Sequence, residues 1–170
     1  MPMITSAQVA KELKKLNDQH DALIRKEEKA SVFTAAIQED IETVRPEYDY
    51  DSVQKELADV ERKIRALKHA VNQFNLTQVV PEFGMTIDQM LIYIPQLTAR
   101  KRKLDAMRAR LPKERVNPDY GRPTAIIEYH YSNYDIQKAE ADYDQVTDEL
   151  ARAQNALDSV NATVLFEVEE

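Results

Sequence analysis

The chain contains no cysteine and only two glycines among its 170 residues. Without cysteine it cannot form disulfides, use a thiol nucleophile or bind a metal through thiolates. Two glycines are too few for a loop that cradles a phosphate or a dinucleotide, and neither motif is present in the sequence. These absences exclude several common classes of enzyme and of metal site.

Long apolar runs are also missing. No run approaches the ~20 residues that a membrane-spanning helix needs, and the first 15 residues lack the basic start and apolar core of a signal peptide. The net charge of -7 opposes general attraction to nucleic acid and to anionic membranes. We therefore expect a cytoplasmic protein that does not associate with a membrane.

Four segments of the chain repeat apolar residues at steps of three and four. This spacing keeps side chains on one face of a helix, and such a face must be buried against another element. The first two stripes are Val9, Leu13, Leu16, His20, Leu23, Glu27 and Ala30, and Val53, Leu57, Val60, Ile64, Leu67, Val71 and Phe74. The third, less regular one is Met90, Ile94, Leu97, Leu104 and Leu111, and the fourth is Ile136, Ala139, Tyr143, Val146, Leu150, Ala153, Leu157 and Val160.

The stripes predict a mainly α fold of two long antiparallel helical hairpins. This arrangement resembles a four-helix bundle with coiled-coil spacing and has small β elements at its ends. We expect a single elongated domain over residues 1–170, with hairpin one at about 5–80 and hairpin two at about 86–168. Five of the seven prolines and both glycines fall between the proposed helices, which supports these divisions.

Polar residues at the helix boundaries predict the caps. The expected caps are Ser6, Asp51 with Gln54, Thr86 with Gln89, and Ser132 or Asn133. The helices should end near Ala30, near Phe74 or Asn75, near Leu111 and near Val160. Pro95 lies inside the third helix and predicts a kink there or a division into two helices. Gly84 can take a positive φ in the linker before that helix.

Three segments are candidates for strands. Residues 125–131 are rich in β-branched and aromatic side chains, and a turn at 119–122 would pair them with Arg115 and Val116. Residues 31–37 could continue the first helix or form a short strand, and we favour the strand. Residues 164–168 alternate weakly and could form a last strand.

The histidines do not form a metal motif. The residues three before His20, His69 and His130 are not glutamates, and no two histidines have the i, i+4 spacing of a helical zinc site. His20 lies on the first stripe, where it could be a base, a ligand or a core histidine paired with a polar neighbour, and we favour the last. Glu27 on the same stripe should pair with Lys55. We expect no catalytic residue, no metal and no cofactor, and we lean against an enzyme.

Residues 129–131 form a cluster of two tyrosines and a histidine. This cluster suggests a different function, a small-ligand site or an enzyme active site near the predicted strand. Tyr129 and Tyr131 should share one face of that strand and His130 the other. A Tyr/His group can bind a ligand or transfer protons. Tyrosines that cover a helix surface are the simpler interpretation.

The largest local charge is basic. Residues 100–115 carry +6, and residues 135–158 of the fourth helix carry -5. The basic segment could bind nucleic acid, but complementary helices can also pair within a chain or across a subunit interface. We favour helix pairing. The candidate interaction surface is Arg100, Lys101, Arg102, Lys103, Arg108 and Arg110.

The order of these elements resembles the septicolysin-like family of bacterial proteins. The matching features are Val71-Asn72-x-x-Asn75, Gly84-x-Thr86-x-Asp88, a long basic helix, a strand, and a final helix that leaves through Asn161 and Thr163. The resemblance implies helical hairpins with small strands, and it does not point to any activity. The family name refers to a toxin, but the residues contain no amphipathic membrane hairpin.

We therefore expect a structural or interaction protein that self-associates through helix faces. Long hairpins have little interior of their own, so a homo-oligomer would cover more of each apolar stripe. A different protein partner remains open. Two further functions also stay open: a ligand-binding or catalytic site at Tyr129–Tyr131, and a nucleic-acid accessory role of residues 100–115.

Overall fold

The computed structural model describes residues 3–116 and 127–168. This part of the chain is mainly helical, with five helices and six short strands in antiparallel pairs. The helices are α1 (Ser6–Ala30), α2 (Ile41–Val44), α3 (Tyr50–Thr77), α4 (Ile87–Arg108) and α5 (Ile136–Thr163). The strands are β1 (Met3–Thr5), β2 (Val79–Val80), β3 (Met85–Thr86), β4 (Lys113–Arg115), β5 (Tyr129–Tyr131) and β6 (Leu165–Glu167). The mainly α class predicted from the sequence is confirmed.

The strands form three two-stranded ladders. β1 pairs with β6 so that Thr5 lies opposite Leu165, β2 pairs with β3, and β4 pairs with β5 so that Arg115 lies opposite Tyr129. The predicted pairing of the 125–131 segment with Arg115 is therefore confirmed for the strand at 129–131, whereas the described residues 127 and 128 are not part of a strand. The predicted turn at 119–122 and residues 125 and 126 lie outside the described residues.

Two capping boxes start α1 and α4. The Thr86 hydroxyl accepts a hydrogen bond from the Gln89 backbone N–H, and the Gln89 side chain accepts one from the Thr86 N–H, as the sequence predicts. In α1 the cap is Thr5 with Gln8, and not Ser6, because Ser6 is already the first helical residue. Gly84 has the predicted positive φ, at 62°.

The caps of the other long helices differ from those predicted. Asp49, not Asp51, caps α3 by accepting from the Ser52 N–H. Asp135, not Ser132 or Asn133, accepts from the N–H groups that follow it at the start of α5. Several carboxylates and hydroxyls precede each of these helices, so the cap pattern alone does not choose among them.

The first of two compact units consists of Met1–Gln78 and Ser159–Glu170. Its core contains Val9 and Leu16 of α1, Val53, Leu57, Val60, Ala70 and Phe74 of α3, and Val160 and Val168. α1 and α3 contact each other along their stripes, and the stripe residues Ile64 and Leu67 are half-buried. The Phe74 ring stacks on Phe166 of β6 with centroids 4.4 Å apart.

The segment between α1 and α3 does not form the strand that we favoured at 31–37. Residues 31–40 have no helix or strand, and the short α2 follows at Ile41–Val44. α1 ends at Ala30, as predicted. A β-branched pattern favours a strand only where another strand can complete the hydrogen bonds, and no described strand pairs with this segment.

The second unit is Val79–Asp158. Ile87, Met90, Leu97 and Leu104 of α4 and Ala139, Val146, Leu150, Ala153 and Leu157 of α5 are buried. α4 continues through Pro95 as one helix and ends at Arg108. Leu111 therefore lies beyond the helix and is exposed, contrary to its place on the predicted third stripe.

Candidate interaction surface

The basic residues of α4 do not form one face. Arg100, Arg102 and Lys103 are exposed, whereas Lys101 is half-buried. Consecutive residues of an α-helix are separated by about 100°, so four cations in a row surround the helix. Arg110 lies beyond the end of α4 and is also exposed. The predicted interaction surface is thus divided among several directions.

Two of these cations contact α5 through an aromatic ring. The Arg108 guanidinium lies 3.8 Å from the centroid of the Tyr143 ring, and the Lys101 ammonium lies 5.5 Å from it. Arg108 also donates to Asp105 on its own helix at 3.0 Å. Among the described residues, no lysine or arginine of α4 forms an ion pair with a carboxylate of α5. Cation–π contacts therefore join the helices where ion pairs were expected.

Lys113 of β4 lies against both tyrosines of β5. Its ammonium is 4.0 Å from the Tyr129 centroid and 5.5 Å from the Tyr131 centroid, so these rings share a face as predicted. They are 41% and 65% exposed, and His130 is exposed as well. Tyr134, by contrast, is half-buried, and its hydroxyl donates to the Met107 carbonyl of α4 at 2.7 Å.

His20 connects α1 with α3. Its Nε2 lies 3.4 Å from Glu61 Oε1, and its Nδ1 lies 3.8 Å from Asp21 Oδ1. The side chain is half-buried. Polar neighbours are part of the interpretation that we favoured, but this histidine lies at the edge of the helix interface and not in the core.

Glu27 accepts two short hydrogen bonds in the first unit. The Tyr48 hydroxyl and the Gln54 Nε2 both donate to Glu27 Oε1, each at 2.7 Å. Lys55 does not form the predicted ion pair with Glu27, and the partners of this carboxylate are instead the two neutral donors. The hydrogen bond to Glu27 raises the pKa of Tyr48 to about 12, with smaller contributions from burial and the carboxylate charge.

We expect Tyr48→Phe to remove a pH-dependent part of the stability. Because the Tyr48 pKa is raised from 10.0 to about 12, its hydrogen bond stabilises the fold fully below pH 10. That stabilisation is lost as pH rises through 12. The difference in melting temperature between wild type and Tyr48→Phe should therefore shrink from pH 9 to 12. Tyr50→Phe is the control, because Tyr50 is 62% exposed. A difference that does not change with pH would contradict the prediction.

The second unit has a comparable tyrosine–glutamate pair. The Tyr93 hydroxyl of α4 donates to Glu149 Oε1 of α5, and this bond raises the pKa of Tyr93. The Phe83 ring lies 6.3 Å from Tyr93 between centroids. Arg152 of α5 donates to Glu82 at 3.2 Å. Tyr93–Glu149 and Arg108–Tyr143 are thus two side-chain contacts between α4 and α5.

A partly apolar groove runs along α4 and is lined in one part by residues of α5. One cavity of about 450 Å³ is lined by Leu91, Ile94, Pro95, Gln154, Asn155, Leu157 and Asp158. A second of about 350 Å³ is lined by Ile94, Pro95, Thr98, Ala99 and Arg102. The two cavities share Ile94 and Pro95 and so form one continuous surface, which we call the α4 groove.

The α4 groove is not among the sites predicted from the sequence. Its signal is the run Met90-Leu91-Ile92-Tyr93-Ile94, which has more consecutive apolar residues than one helix face can hold. Met90 is completely buried, whereas Leu91 and Ile92 are 51% and 58% exposed. The irregular third stripe therefore reflects apolar residues on two sides of α4.

Two further kinds of feature are absent from the described part of the chain. Residues 3–116 and 127–168 contain no group of three or more histidine, aspartate or glutamate side chains placed to hold a metal ion. Among the same residues, no helix is long and apolar enough to cross a membrane. Neither observation identifies a ligand.

Comparison with known proteins shows that this chain is similar in fold to a solved structure. No family model and no curated protein matches the chain. A solved structure of a functionally unknown conserved protein from Corynebacterium diphtheriae is similar, with a TM-score of 0.58 and 14% sequence identity. The likeness covers 98% of this chain and 100% of that one. At this identity it shows the fold alone.

Proposed function

We propose that this protein is a cytoplasmic structural or interaction protein that self-associates through its helix faces. The supporting observation is large apolar side chains left in water on α4. Leu91 and Ile92 are 51% and 58% exposed, although the opposite side of the helix is buried. Adjacent exposed apolar residues of this kind are typical of a protein–protein contact.

The proposal includes two antiparallel helical hairpins as the framework. In the first unit, Glu27 near the end of α1 bonds Gln54 near the start of α3, and His20 lies by Glu61 further along. In the second unit, the Tyr93–Glu149 and Arg108–Tyr143 contacts relate α4 and α5 in the same way. Both patterns support the hairpins. Membership of the septicolysin-like family stays a prediction.

Light scattering on the purified chain tests self-association. The chain has a mass of 19.6 kDa, and we expect at least twice that mass at tens of micromolar protein. Dilution should return the monomer, because mass action governs association. A monomer over the whole concentration range would contradict the proposal.

Nucleic-acid binding is the second candidate function, and the exposed Arg100, Arg102 and Lys103 favour it. A gel shift with double-stranded DNA or RNA distinguishes it on the same sample. We expect weak binding at physiological salt, because the net charge is -7. Submicromolar affinity that falls linearly with salt on a logarithmic scale would support nucleic-acid binding instead.

A further inference from the structure

We infer that the α4 groove binds the α4 groove of a second copy of this chain, in an antiparallel arrangement with two-fold symmetry. The inference rests on the proposed self-association and specifies the surface and the orientation. It is supported by the spacing of the groove residues, by their polar groups and by the charges at the two ends.

The groove residues of α4 lie along a single stripe of the helix. Leu91, Ile94, Pro95, Thr98, Ala99 and Arg102 follow steps of one, three and four, which is the spacing of a helix–helix contact. At 1.5 Å per residue the stripe is roughly 16 Å long. It is separate from the stripe of Met90, Leu97 and Leu104, which is buried against the rest of its own chain.

The middle of the groove can lose water without leaving a hydroxyl unpaired. Thr98 Oγ1 donates to the Ile94 carbonyl at 2.9 Å, so its hydrogen is already used. Ala99 next to it is small, and Pro95 has no backbone N–H. A second helix can therefore approach the centre of the groove closely, and burial costs little there.

The charges at the ends select the orientation. Arg102 lines only the cavity at one end of the groove, and Asp158 lines only the cavity at the other end, which also contains Leu91. Both are exposed, and neither forms an ion pair among the described residues. An antiparallel second copy brings its Asp158 to Arg102 and its Arg102 to Asp158. A parallel copy would bring like charges together, which opposes that orientation.

Charge reversal and its compensation test this arrangement in the full-length chain. Arg102→Glu and Asp158→Arg should each raise the dimer dissociation constant by about tenfold, because each reversal makes two contacts repulsive. The combined Arg102→Glu/Asp158→Arg variant should recover to within about threefold of wild type. Lys103→Glu is the matched control, since Lys103 is exposed on the same helix but does not line the groove. It should leave dimerisation unchanged.

A cysteine crosslink gives a second readout that does not depend on charge. The chain has no native cysteine, so the only protein thiol with which an introduced cysteine can form a disulfide is its equivalent in another copy. Thr98→Cys lies near the proposed two-fold axis and should form a disulfide dimer with oxidised glutathione. Gln96→Cys, exposed and outside the groove, should not.

The outcomes separate the inference from the proposed function. If wild type dimerises but the reversals have no effect and Thr98→Cys fails to crosslink, self-association stands and the groove is the wrong surface. The same conclusion follows if the single reversals weaken the dimer but their combination does not recover. If wild type is a monomer, both proposals are wrong.

Discussion

Truncation of Phe74 to alanine is expected to lower the free energy of unfolding by about 3–5 kcal/mol. Phe74 is 6% exposed, and its ring stacks on Phe166 with an interplanar angle of 18°. Phe166 lies in β6, which pairs with β1 directly before α1. Phe74 therefore links α3 to the strand pair that joins the two ends of the described chain, and its loss leaves a cavity at that link.

Denaturant unfolding measures the effect, and a double-mutant cycle with Phe166→Ala isolates the ring contact. We expect a coupling of about 0.5–1.5 kcal/mol between the two phenylalanines. Phe33→Ala is the control, because Phe33 is half-buried in the connection between α1 and α2, 5.3 Å from the Arg45 guanidinium. Its cost should be clearly smaller. Equal losses for Phe74→Ala and Phe33→Ala would contradict this account of the core.

Periodicity predicts the long helices well because it records which side is buried. On the fourth stripe, Ala139, Val146, Ala153 and Val160 are all buried in α5. The same pattern correctly predicts the end of α1 at Ala30, and the capping box of Thr86 and Gln89 correctly predicts the start of α4. Where one side of a helix is apolar and the other is charged, the pattern determines which side is buried.

The short strands are harder to predict because their partners are distant in sequence. Residues 164–168 carry a weak strand signal, and nothing at Met3–Thr5 indicates that it pairs with β6. β2 and β3 have two residues each and lie in the predicted linker before α4. In segments this short, hydrogen bonds to a partner strand determine whether a strand forms, and the local sequence pattern contributes little.

The candidate interaction surface shows that a run of charges along the sequence does not give the direction of each side chain. The run 100–103 is the most basic stretch of α4, but its members point in different directions around the helix. Lys101 contacts Tyr143, whereas Arg102 lines the α4 groove. The apolar residues Leu91 and Ile94 complete that groove, although periodicity assigns Ile94 to the buried stripe. Such a surface is recognised from which residues are neighbours in the folded structure. The number of charges in a stretch of sequence does not give that information.

Truncation of Leu57 to alanine should cost about 2–5 kcal/mol, because Leu57 is only 7% exposed in the first half of α3. The same change at Leu76 is the matched control. Leu76 is on the same helix but 61% exposed, so Leu76→Ala should change the unfolding free energy by less than about 0.5 kcal/mol.

Denaturant unfolding at one protein concentration measures both leucine variants. Comparison at several concentrations then separates folding from association, since only a coupled dimer shifts its midpoint with concentration. The second stripe contains Leu57 and omits Leu76. A similar loss at both leucines would therefore show that the buried side of α3 is assigned wrongly, and the contact between α1 and α3 would have to involve another face of the helix.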